Sequence, residues 1–119
     1  MRAQDYLDPI YFGFAYELGS AKKQDVFEAM LDYSPLIQAT PKKYPTILTI
    51  VGSSDDRVNP AHSYKFVEKL VRNQQGTSPI MLYSVKNAGH HPMSQVNPMI
   101  RREFQARMWT AIYKVLGVQ

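Results

Sequence analysis

The chain has 119 residues, 45% of them apolar, no cysteine and a formal net charge of +4, which bounds it to one domain with a modest core and excludes a disulfide framework or thiolate metal site. The basic pairs Lys22 and Lys23, Lys42 and Lys43, Arg101 and Arg102 lie in separate segments among Asp25, Glu28 and Glu103, a solvated surface and not a nucleic-acid stripe. No apolar run approaches a membrane span, so the expectation is a soluble, cytoplasmic chain with neither nucleic acid nor membrane as partner.

In chain order, residues 1–19 are aromatic-rich, with Tyr6, Tyr11, Phe12, Phe14 and Tyr16 and a break at Gly13, and read as a packing loop without the apolar stretch of a signal peptide. Ser20 is placed to cap a helix over 22–31, where Val26, Phe27, Met30 and Leu31 recur at helical spacing. Ser34 and Pro35 end it. A short basic connector, 41–45, leads into TILTIV at 46–51, bounded by Pro45 and Gly52. Its β-branched content predicts a strand buried on both faces, the kind found in parallel sheets.

The polar loop SSDDRVN follows. Pro60 opens a helix over 60–73, with Phe66, Val67, Leu70 and Val71 on one face and Lys65, Glu68, Lys69 and Arg72 on the other. After a turn at 74–79, IMLYSV reads as a second strand, and a strand, helix, strand unit of this length implies a right-handed parallel crossover. The loop KNAGHHPMS comes next, then a helix with Ile100, Phe104, Met108, Ala111 and Val115 closing on Gly117. The expected architecture is α/β, with two parallel strands and three flanking helices.

Such a unit directs both carboxyl-end loops to one edge of the sheet. Asp55 in the first loop and His90 in the second can then meet, and a carboxylate facing a histidine is half of a charge-relay arrangement. The carboxylate fixes the tautomer and the imidazole moves a proton. Each residue also has a plainer reading: an aspartate ahead of a helix is often a cap or turn residue, and His62 fits the first turn of its helix. Asp56 reads as structural. The adjacent His90 and His91 cannot easily face one metal, and without a third ligand neither a metal nor a cofactor is expected.

YPTILTIVGSSDDRVNPAHSYKFVEKL followed by KNAGHH resembles the carboxyl-terminal part of the catalytic domain in prolyl oligopeptidase family serine peptidases, which are α/β-hydrolases. The preceding DVFEAMLDYSPL is similar to that family's helix before the strand. The likeness runs from about Phe14 onward, and it is specific because D-D-R-V, P-x-H-S and A-G-H occur in order. It implies a partial α/β-hydrolase fold in which Asp55 is the catalytic aspartate and His90 the catalytic histidine. Arg57 matches an arginine that hydrogen-bonds a substrate main-chain carbonyl. Aligning E-L-G puts Phe14 and Leu18 where larger aromatic residues line the family's proline pocket, so a strict preference for proline does not carry over.

The resemblance also implies what this sequence lacks. The family's nucleophilic serine stands on a G-x-S-x-G elbow ahead of the aspartate, which would fall before Met1, and no serine present has the elbow's paired glycines; Ser34 is followed by Pro35. The expectation is therefore that residues 1–119 are a carboxyl-terminal fragment of a peptidase catalytic domain, whether from a split gene, a decayed gene or a longer chain cut short. It would act on short peptides only when a serine-bearing segment completes it. The alternative is a non-catalytic remnant or interaction module. An uncovered strand edge rich in isoleucine and valine further predicts self-association.

Overall fold

The computed structural model describes residues 19–91 and 97–117. Phe14, Leu18 and the rest of the amino-terminal aromatic segment lie outside the described residues, as do 92–96 of the second loop.

Helix α1 spans Gln24–Tyr33, two residues inside the expected start. Ser20 does not cap it: the hydroxyl accepts from Lys22 N–H at 3.3 Å and the carbonyl from Lys23 N–H at 3.0 Å, making a turn ahead of the helix. Pro35 ends α1 as expected but also takes the first position of an additional one-turn helix, α2, Pro35–Gln38. A ring with fixed φ and no N–H is suited to that position.

Strand β1, Ile47–Gly52, leads through helix α3, Ala61–Asn73, to strand β2, Ile80–Val85, and the strands pair in parallel from Ile47 with Ile80 to Gly52 with Val85. Asn59, one residue before Pro60, supplies the side-chain cap to Ala61 N–H at 2.9 Å. Helix α4, Pro98–Leu116, is capped by Asn97, whose side chain accepts from Met99 N–H, and closes on Gly117 at φ 68. The left-handed turn there is one that glycine adopts without a Cβ penalty.

The twofold period of the strands divides the core in two. On one face Ile47 and Ile80 pack with Phe66 against Ala39, Tyr44 and Leu70. On the other, Ile50 and Tyr83 pack with Met108 against Val85, Ala88 and Phe104, and the Tyr83 and Phe104 rings stack with centroids 5.6 Å apart. Gln74 joins the ends of the first layer: its carbonyl accepts from Tyr44 N–H at 2.8 Å and Gly76 N–H at 3.0 Å, while its amide donates to Tyr44 O and Ser78 O.

Burial corrects the expectation of a strand covered on both faces. In β1 only Val51 and Gly52 are fully buried, and 47–50 are half-buried. Among the described residues β1 pairs with β2 alone, and on α4 Phe104 is buried while Ile100 and Val115, expected on its apolar face, are exposed. No described helix is long and apolar enough to cross a membrane.

Candidate active site

The two loops leave β1 and β2 at the same, carboxyl, end of the sheet, and they are laced together. Ser53 N–H donates to Val85 O at 3.0 Å, Ser54 N–H to Ala88 O at 2.9 Å, and Asn87 N–H to the Ser53 hydroxyl at 2.8 Å. Asn87 takes a left-handed φ of 57, a conformation that asparagine tolerates better than most side chains. These bonds tie the two loops to each other beyond the ends of the strands. Ala88 is completely buried beneath them.

Asp55 and His90 are brought together by this lacing. The Asp55 carboxylate folds back on its own loop, Oδ1 accepting from Arg57 N–H at 2.9 Å and Val58 N–H at 2.8 Å. That leaves Oδ2 for His90, whose Nδ1 lies 3.0 Å away. The Asp55 side chain is 8% exposed and that of His90 31%, so the carboxylate is enclosed while the imidazole keeps a solvent-accessible part. Burial alone would raise the Asp55 pKa, but the bonds from Val58 N–H, His90 and Arg57 N–H together hold it below the ordinary carboxylate value. The aspartate therefore carries its charge at neutral pH. An imidazole held by a carboxylate at Nδ1 has Nε2 left to exchange a proton with a third group.

The other residues singled out by sequence sit around this pair. Arg57 contributes its main chain to Asp55 and is itself exposed; Asp56 is exposed too. His91 stands edge-to-face with His90, ring centroids 5.0 Å apart, and His62 falls in the first turn of α3. Phe14 and Leu18 lie outside the described residues. Among the described residues no three histidine, cysteine, aspartate or glutamate side chains cluster as a metal site. Sequence reasoning missed Ser53 and Asn87. The available signal was a glycine and a small hydroxyl residue directly after a strand, with an asparagine in the facing loop.

Comparison with known proteins follows the same residues. The family model described as the prolyl oligopeptidase family matches residues 1–117. A prolyl endopeptidase from Elizabethkingia meningoseptica is 39% identical over 80 residues, which are 66% of this chain and 11% of that protein. One from Dictyostelium discoideum is 34% identical over 90 residues, 71% of this chain and 12% of that protein. A solved structure from a structural and mechanistic analysis of two prolyl endopeptidases superposes with a TM-score of 0.78 at 32% identity, over 89% of this chain and 16% of that one. The chain thus spans about a ninth of the length of the curated relatives it matches.

Proposed function

The chain belongs to the prolyl oligopeptidase family, with part of an α/β-hydrolase fold, and from that premise we propose that it supplies the Asp and His of a Ser-Asp-His triad to a serine peptidase acting on short peptides. One observation carries the reading: Asp55 Oδ2 and His90 Nδ1 stand 3.0 Å apart, with the carboxylate enclosed. His90 takes the proton of a serine hydroxyl at Nε2 as the hydroxyl attacks the scissile carbonyl, and returns it to the departing amine. Asp55 holds the ring and stabilises the imidazolium formed in between. By their match to the family's motifs, Arg57 would hydrogen-bond a main-chain carbonyl of the substrate, and Phe14 and Leu18 correspond to the positions that line the family's proline pocket.

The serine comes from polypeptide other than these 119 residues, since no G-x-S-x-G occurs in the sequence. Alone, the chain has nothing to acylate. A fluorophosphonate probe tests this. The chain by itself is expected to stay unlabelled, and a serine-bearing segment of the family's catalytic domain added to it to become labelled only when His90 is intact. Labelling of the chain alone, abolished by replacing one of its own serines, would overturn the proposal.

A second reading, an interaction module, is favoured by the half-buried β1 edge, since among the described residues β1 pairs with β2 alone and its other side could accept an added strand. Self-association of the separate chain through that edge is the expected form. Sedimentation at micromolar concentration decides, a monodisperse monomer counting against it.

A further inference from the structure

We infer that Gly52 and Ser53 are positioning residues that set the distance between Asp55 and His90, an inference that rests on reading those two as a functional pair. Gly52 is the last residue of β1, and the peptides on both sides of Gly89, Ala88–Gly89 and Gly89–His90, pass directly over it. A Cβ at this position would lie 2.2 Å from Gly89 O and 2.4 Å from Ala88 O. A carbon and a carbonyl oxygen approach to roughly 3.3 Å at closest, so an alanine would have to drive the two loops apart by about 1 Å. Both obstructing atoms are backbone, which cannot swing aside as a side chain does. Gly89 adjoins His90, and Gly52 is three residues before Asp55, so the displacement falls between the two halves of the pair. A contact of 3.0 Å opened by that much passes out of hydrogen-bond range.

Ser53 holds the same spacing from the other side. Its N–H donates to Val85 O and its hydroxyl accepts from Asn87 N–H, so one residue ties the aspartate loop to both the end of β2 and the turn before His90. Gly52 permits the close approach and Ser53 fastens it. Gly52 O also accepts from Asp55 N–H at 3.3 Å, and both residues act through the path of the backbone.

The His90 tautomer is the readout, since the hydrogen bond at one ring nitrogen decides which nitrogen carries the proton. Long-range proton–nitrogen spectra of the full chain at neutral pH are expected to show His90 protonated at Nδ1. In Gly52→Ala that form should give way to the Nε2-protonated form, while Gly76→Ala, a glycine with only side-chain atoms nearby, leaves it in place. Ser53→Ala should weaken the Nδ1 form and Ser53→Thr, which keeps the hydroxyl, restore it. If Gly52→Ala fails to fold, the Ser53 pair of variants decides. Retention of the Nδ1 form in Ser53→Ala and in any folded Gly52→Ala overturns the inference and leaves the pairing standing. A parent chain lacking the Nδ1 form would instead overturn the pairing itself.

Discussion

The two ends of the same small sheet are built differently. At the carboxyl end Val51, Gly52, Val85 and Ala88 are buried, Phe104 stacks on Tyr83, and three hydrogen bonds lace the loops that carry Asp55 and His90. Away from it, residues 47–50 are half-buried, Leu82 is 39% exposed and the last turn of α4 leaves Leu116 68% exposed. An open cleft of about 490 Å³ is lined by Leu48, Ile50 and Met81 from the strands and by Ala106, Met108 and Ala111 from α4. The order around the pair is therefore local. It comes from short backbone links and one aromatic contact, and it does not wait on a closed core along the whole sheet.

Replacing Phe104 with alanine should break that contrast most severely, because the ring fills the space between Val85, Ala88 and Tyr83. Urea unfolding is expected to show a loss of about 3–5 kcal/mol, and a loss below 1 kcal/mol would mean that α4 contributes little to the site. Gln74→Ala removes a side chain that satisfies four main-chain groups at the opposite end of the sheet, at an expected cost of about 1–3 kcal/mol. Its Asp55–His90 contact should survive, and loss of the His90 Nδ1–H signal in that variant would show that the two ends are coupled.

Acid sharpens the comparison further. The folded-state pKa of Asp55 lies below its ordinary 3.8, so its contribution to stability is fully present above that value and is lost as pH falls through the lower, folded one. Asp55→Asn should flatten this part of the pH–stability profile, and an unchanged profile would place the acid sensitivity elsewhere. Leu116→Ala marks the small end of the scale. Already exposed, it should alter stability by no more than about 0.5 kcal/mol.

How much of this was legible in the sequence follows the same division. β2 lies where its apolar run predicts, β1 is displaced by one residue from 46–51, and α3 and α4 start and stop near their Pro and Gly signals, while Val71 on α3 and Ile100 and Val115 on α4, expected on apolar faces, are exposed. The meeting of Asp55 and His90 was also legible, since parallel strands must bring their following loops to one edge. Burial of β1 was not, because composition reports the character of a strand and not what covers its flanks. Ser20 failed as a cap because its hydroxyl is spent on the turn before α1. The link from Ser53 to Asn87 joins positions 34 apart, and neither residue type announces a partner at that distance.

The preformed contact itself can be measured through a double-mutant cycle on unfolding free energy at neutral pH, using Asp55→Asn, His90→Gln and the two together. Two side chains 3.0 Å apart in one hydrogen bond should be coupled by about 0.5–3 kcal/mol, the double variant costing less than the sum of the single ones. Costs that add to within about 0.3–0.5 kcal/mol would mean that Asp55 and His90 do not hold each other in this chain, and would contradict the pairing on which its assignment as the Asp–His half of a triad depends.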